Sequence, residues 1–238
     1  MLKKNDESVS NNTDDFQDSF IASIVHDLKN LMVPIVSRSE LLMMPTLSED
    51  KRQYLLKQLN VSCVTMMDAL NKMVGICKDR ANRGNYHFET FKLSIPISEV
   101  IDILEENAEA KSITIRSHVP HDLAVFADKD SILSVVTNLV GNAIKFTPKG
   151  GEIIIDAEIS DDDVRVVVRD NGIGIDEERI SDLLRNNHYY TTPGTNGESG
   201  TGLGLLLCDS QLRHNGSALE FSNLASGGTE FAFKLPCK

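Results

Sequence analysis

The chain has 238 residues, 41% of them hydrophobic and 25% charged, enough apolar material for one ordinary domain or two small ones with real cores. A formal net charge of -11 opposes nucleic acid and anionic membrane surfaces as general partners, so any phosphate must be met by local cations. The four cysteines, Cys63, Cys77, Cys208 and Cys237, form no C-x-x-C pair, which indicates neither a zinc knot nor a disulfide framework and fits a reducing cytoplasm.

Residues 1–14 are polar and too poor in apolar groups to offset ordering entropy, and read as a frayed lead-in. The opening lacks a signal peptide's apolar core, and no apolar run is long enough to cross a bilayer. Membrane attachment would need a sensor upstream of the sequence. From Asp15 to about Met44, Phe16, Phe20, Ile24, Leu28, Leu31, Ile35, Leu41 and Leu42 recur at helical spacing and stop before Pro45. Thr46, Ser48 and Glu49 offer capping chemistry for a second helix, along which Leu55, Leu59, Cys63, Met66, Leu70, Met73 and Cys77 mark one face. The spacing predicts a helical hairpin over 15–80. Two helices cannot enclose a core, so the economical solution is a homodimer whose hairpins form a four-helix bundle; the alternative packs the stripe on the rest of the chain.

Residues 81–86 are polar and glycine-containing, and read as a linker. Residues 87–238 then alternate sheet and helix. Strands are expected near 87–93, 113–118, 124–127, 152–159, 164–169, 218–223 and 229–235, with helices near 97–110, 129–145, 177–184 and 201–214. This order predicts an α/β sandwich with helices on one face of a mixed sheet.

Two glycine-rich strings organise that half. In D-N-G-I-G-I, a strand ends at Asp170 and Gly172 and Gly174 make a turn with room for a flat ligand. The Asp170 carboxylate accepts hydrogen bonds and gives none, which suits the exocyclic amine of adenine. In G-T-G-L-G-L, Gly200, Thr201, Gly202, Leu203 and Gly204 precede a buried helix whose first N–H groups suit phosphate. The dinucleotide-binding and P-loop patterns are both unmet. On the helix expected over 129–145, Asn138 and Asn142 share a face, with Lys145 and Phe146 a turn beyond. An Asn142 amide oxygen suits Mg²⁺, Lys145 supplies a point charge, and Phe146 offers a ring to a base. In V-H-D-L-K-N, His26 has Asp27 beside it and Asn30 one turn on, an arrangement that orients an imidazole for nucleophilic use.

H-D-L-K-N, N-L-V-G-N-A-I-K-F, D-N-G-I-G-I, G-T-G-L-G-L and G-G-T-E-F occur in the order of the motif boxes of bacterial sensor histidine kinases. The chain resembles that family from about Phe16 to Pro236. The resemblance implies a dimerisation and phosphotransfer hairpin followed by an ATP-binding domain of the superfamily shared by gyrase, chaperone, histidine kinase and mismatch-repair proteins. It implies that His26 takes the γ-phosphoryl of Mg-ATP and passes it to an aspartate of a separate receiver domain. By position, Asp27 holds the other ring nitrogen and helps remove the proton. Asn30 matches the residue that aligns water in relatives with phosphatase activity. Asn142 corresponds to the Mg²⁺ ligand with Asn138 as its helical partner, while Lys145 falls near phosphate and Phe146 near adenine. Asp170 corresponds to the adenine-reading carboxylate, with Thr229 at a position that supports it. Gly172 and Gly174 form the turn beneath, and Gly200, Gly202 and Gly204 are the phosphate-side glycines. A nucleotide-gated conformational ATPase, or a degenerate kinase acting as scaffold or phosphatase, is the alternative.

Three features depart from the pattern. Leu31 stands where the first box usually has Pro, and Pro34 comes later. The segment 186–199 contains no Lys or Arg, although relatives often carry a cation there. The aromatic box before it is reduced to Tyr189 and Tyr190. The glycines of this segment lead to the expectation of a lid that moves on nucleotide binding.

Overall fold

A computed structural model describes residues 28–81, 86–160, 162–186, 192–198 and 202–238. The lead-in, the predicted start of the first helix, and His26 and Asp27 lie outside the described residues. The chain divides into two compact units between Met73 and Val74.

In the first unit α1 is helical over residues 28–42, and α2, spanning Glu49–Ala81, begins there and runs past the division at Met73. The turn between them is closed by Met43 N donating to Glu40 O and Met44 N to Leu41 O. Glu49 and Asp50 place negative charge in the first turn of α2, where it complements the helix dipole. The Arg38 guanidinium donates to Ser62 Oγ and Arg52 Nη1 donates to Leu42 O, so the two helices are cross-linked as an antiparallel pair. The predicted stripe on α2 divides in its environment. Leu55, Leu59 and Met66 are half-buried and Met73 is buried, while Cys63 and Leu70 are exposed. Val61, Val64 and Met67, outside that stripe, are exposed at 50%, 62% and 60%.

The second unit is built of β1 (Phe88–Lys92), α3 (Ser94–Ala110), β2 (Thr114–Ser117), β3 (Ala124–Asp128), α4 (Lys129–Phe146), β4 (Glu152–Ile159), β5 (Asp163–Asp170), α5 (Glu177–Asn186), α6 (Gly204–His214), β6 (Glu220–Asn223) and β7 (Thr229–Pro236). Strand order in the main sheet is β2-β4-β5-β7-β6. The β2–β4 pair is parallel and the others are antiparallel. A two-stranded antiparallel ribbon, β1 with β3, stands beside it. Helix α3 starts three residues before the expected Ile97, with Pro96 inside its first turn, where the missing N–H has no helical partner to lose.

Alternation along the strands sets the two faces of the sheet. Val164, Val166 and Val168 of β5 are buried, as are Phe231, Phe233 and Leu235, with Val168 opposite Phe231 and Val166 opposite Phe233. Helix α4 supplies Ile132, Val135, Val136, Leu139 and Val140 to the same core, all fully buried. On the other face Val167 and Ala232 pair and are buried as well, and Arg165 and Arg169 on either side of Val167 carry charge. Arg169 binds Asp156, Glu158 and Glu230, and Arg165 binds Glu158, Glu220 and Glu230. Partial burial pushes the Glu230 carboxyl upward, but the hydrogen bonds from Arg165 and Arg169 outweigh it and hold Glu230 below the usual carboxylate range. Period two thus carries one strand's residues to an apolar interior and an ion-paired exterior. Asp170 falls on the apolar side, in register with Ile153.

Candidate functional site

Asp170 is the last residue of β5 and is only 6% exposed. Its Oδ1 accepts from Gly172 N at 2.8 Å and from Thr229 N at 3.3 Å. Burial raises the carboxyl above its ordinary range, and the two backbone N–H groups offset that only in part. The polar end of a buried strand is therefore an oriented acceptor with little water around it.

Backbone crowding explains the glycines beside Asp170. A Cβ at Gly172 would lie 2.5 Å from Phe146 O, so the turn reaches the carboxyl end of α4 only without a side chain. Ile173 N then donates to Phe146 O at 3.2 Å. Gly228 has φ +94°, and a Cβ there would lie 1.9 Å from Asp170 O. This second glycine of G-G-T-E-F lets the β6–β7 turn close over the Asp170 backbone and deliver the Thr229 N–H. Thr229 is 2% exposed.

Helix α4 begins at an N-cap, Asp128, whose side chain accepts from Ser131 N at 2.8 Å. Its apolar face is buried, and Asn138 and Asn142 are half-buried beside it. Asn138 Nδ2 donates to Ser134 O at 3.0 Å, while the Asn142 amide makes no side-chain hydrogen bond among the described residues. At the far end, Lys145 Nζ donates to Thr192 O at 2.9 Å and lies 4.6 Å from the centroid of the Phe146 ring. The structure thus brings Lys145, Phe146, Gly172, Asp170 and Thr229 together through direct contacts, with Asn138 and Asn142 on the same helix as Lys145.

Of the second glycine string, Gly200 and Thr201 lie outside the described residues. Gly202 has φ +70°, Leu203 is buried, and α6 begins at Gly204, later than the expected Thr201. The run from Gly204 to Cys208 is buried, and Cys208 lies against Val135 of α4, which seats α6 beside the helix carrying Asn138 and Asn142. Asn30 is an exposed residue of α1, in the other unit.

Sequence reading missed Lys111, Thr195 and Glu198. Lys111 follows α3 with its side chain buried, and its Nζ donates to Ile144 O at 2.7 Å, Lys145 O at 3.0 Å, Thr195 Oγ1 at 2.7 Å and Glu198 Oε1 at 2.9 Å. Residues 194–198 form a compact turn, with Gly194 N donating to Glu198 O and Gly197 N to Gly194 O. Thr195 N donates to Lys145 O at 3.0 Å. The expected moving segment thus includes a turn pinned to the end of α4. Partial burial pushes the Glu198 carboxyl upward, but the Lys111 hydrogen bond and the nearby backbone N–H groups outweigh it and leave Glu198 below its ordinary range. The one sequence signal was a lone lysine directly after the acidic helix end E-E-N-A-E-A.

Helices on one face of a mixed sheet, with a buried acid at a glycine turn and a second glycine string opening a helix, define an ATP-binding α/β sandwich of the Bergerat type. Residues 127–238 match the family described as histidine kinase-, DNA gyrase B- and HSP90-like ATPase. The catalytic domain of histidine kinase ThkA is 33% identical, with a TM-score of 0.53, over 63% of this chain and 97% of that domain. Histidine protein kinase DivJ of Caulobacter vibrioides is 28% identical over 222 residues, 91% of this chain and 37% of DivJ. The structure of histidine kinase ThkA in complex with response regulator protein TrrA superposes with a TM-score of 0.67 at 24% identity, over 92% of this chain and 61% of that one. The chain belongs to the sensor histidine kinase family. It spans 13% to 48% of the length of the curated relatives it matches. Among the described residues no helix is long and apolar enough to cross a membrane.

Proposed function

We infer that this chain is the phosphotransfer and ATP-binding core of a protein-histidine kinase, which moves the γ-phosphoryl group of ATP to His26 and from there to a receiver-domain aspartate. Residues 15–80 serve as the dimerisation and phosphotransfer hairpin, 81–86 as the joint, and 87–238 as the catalytic domain. The observation that carries the reading is Asp170. A buried carboxylate, oriented by two backbone N–H groups at a glycine turn, is matched to an exocyclic amine donor and poorly matched to a carbonyl. Adenine is thereby preferred over guanine.

ATP supplies the transferable phosphoryl group and Mg²⁺ neutralises charge on the phosphates as transfer proceeds. The residues present suit both. Asn142 offers a half-buried amide oxygen, not engaged by a described side chain or backbone group, to a hard cation, with Asn138 one turn earlier on the same face. Lys145 supplies a positive head for phosphate and Phe146 a ring beside adenine, while Gly172 and Gly174 form the tight turn that carries Asp170, the room they leave being taken by Phe146 O and Asn223 Oδ1 rather than by a ligand. In the string Gly200, Thr201, Gly202, Leu203 and Gly204, assigned to the phosphates, the described residues from Gly202 on lead into the start of α6, where backbone N–H groups suit an anion. Thr229 holds Asp170 through its N–H. In the transfer, a ring nitrogen of His26 bonds to the γ-phosphorus as the bond to the ADP oxygen breaks, and Asp27 holds the other ring nitrogen and helps remove the proton. The resulting phosphoramidate passes its phosphoryl group to an aspartate oxygen on the receiver. Asn30 is assigned to the reverse task of aligning water for phosphatase activity.

The exposed apolar positions on both helices of the hairpin, among them Val33, Val36, Val61, Val64 and Met67, support a homodimer that buries them in a four-helix bundle. ThkA, whose crystal complex contains a response regulator, supports a receiver domain as the second partner. The deciding experiment incubates the chain with γ-labelled ATP and Mg²⁺, beside a His26→Gln variant. Acid-labile label that disappears in the variant is the expected result. Phosphate release without label would replace this reading with a conformational ATPase, and nucleotide binding with neither would leave a scaffold or phosphatase.

A further inference from the structure

The segment 186–199 contains no lysine or arginine, yet its described turn is held by a cation from elsewhere in the fold. Lys111 lies 87 residues from Glu198 and 84 from Thr195 in sequence. Its ammonium head is buried, and a buried charge is tolerated only where opposite charge and hydrogen-bond acceptors surround it. Two of its partners are the carbonyls of Ile144 and Lys145, in the last turn of α4, where the helix dipole is negative. Glu198 supplies the counter-charge and Thr195 a hydroxyl oxygen.

The same segment touches the proposed phosphate cation. Lys145 Nζ donates to Thr192 O, and Thr195 N donates to Lys145 O. Thr192 is joined through Pro193 to the turn that Lys111 secures. A connected path therefore runs from the Lys111 ammonium through Glu198 and Thr195 to Thr192 O and the Lys145 head. Lys111 has its donors occupied by four protein oxygens and is not itself placed to bind phosphate.

We propose that Lys111, with Glu198 as its counter-charge, is a positioning residue for the nucleotide's phosphates: it staples the 194–198 turn to the carboxyl end of α4 and thereby sets where the Lys145 ammonium stands. The proposal rests on the reading of this unit as an ATP site and adds to it a determinant outside all five sequence boxes. Its effect belongs to the phosphate half of the ligand, since Asp170, Gly172 and Thr229 are held by separate backbone contacts.

The test titrates the full chain, by NMR or calorimetry, with ATP and with adenosine, which lacks phosphates. Lys111→Met and Glu198→Gln are expected to weaken ATP binding about tenfold while leaving adenosine affinity unchanged, since a small displacement of a positioning group is costly where it acts. A merely structural role would lower the melting temperature and weaken both ligands alike. Should Lys111→Met fail to fold, Glu198→Gln and Thr195→Val, at partly exposed positions, carry the same criterion. An unchanged ratio of ATP to adenosine affinity in folded variants overturns the proposal alone. No ATP binding by the unaltered chain overturns both the proposal and the ATP-site reading beneath it.

Discussion

Helices α2 and α4 carry apolar residues at similar spacing and meet opposite fates. Along α4, Val135, Val136, Leu139 and Val140 are fully buried against the sheet and neighbouring helices. Along α2, Val61, Val64 and Met67 each leave half or more of their surface exposed. Helical periodicity reports that a face must be covered, and only the fold or a second chain decides what covers it. In the C-terminal unit the cover is internal; for the hairpin we infer a second copy.

That contrast is sharpest in its energetic form. Leu139→Ala should destabilise the C-terminal unit by about 3 kcal/mol, because it empties a packed site, whereas Val64→Ala should cost below about 0.5 kcal/mol when the chain is dilute enough to be monomeric. Denaturant melts monitored separately in the two units check this, and similar losses at both sites would erase the distinction. Next in size, the covered unit should lose its base selectivity with Asp170→Ala. The preference for ATP over GTP should fall about 100-fold or more in a binding titration, and unchanged discrimination would remove Asp170 from the adenine role. On the uncovered face, Val64→Glu should weaken self-association at least about tenfold in sedimentation equilibrium, because each bundle would have to bury two like charges. An unchanged dimer, or a monomer before mutation, would break the comparison.

The smallest effect concerns pH. Glu230 is held below its ordinary range by Arg165 and Arg169, so its contribution to stability is complete above that range and is lost as pH falls through the depressed folded value. Asp170 has the opposite sign. Burial raises it, so its ionised form costs stability at neutral pH, and the cost fades as acid protonates it. Melting temperatures between about pH 6 and pH 3 should therefore fall less steeply in Glu230→Gln than in the unaltered chain. Parallel curves would count against the ion-paired face.

The sequence carried most of the architecture, because strands such as Glu152–Ile159 and helices such as Lys129–Phe146 have unbroken patterns bounded by turn residues. The acid and its glycines were legible for the same reason, since D-N-G-I-G-I places a carboxylate at a strand end next to residues that need no room. What stayed hidden was long-range. Nothing near Lys111 announces Glu198, and nothing near Gly228 announces that a Cβ there would strike Asp170 O. Pairing of β5 with β7 brings that turn to Asp170, and such pairings leave no local periodicity. The start of α6 moved from Thr201 to Gly204, the ordinary uncertainty of a glycine-rich boundary.

The outer strands of the main sheet, β2 and β6, are each four residues long, and each carries an exposed charge, Arg116 and Glu220. Short, charged margins offer a poor template for another chain's backbone, so the sheet is guarded against edge-to-edge growth into aggregates. If copies of this protein meet, they are steered away from the ribbon-like surface that would lock them irreversibly, leaving assembly to side chains that can part again.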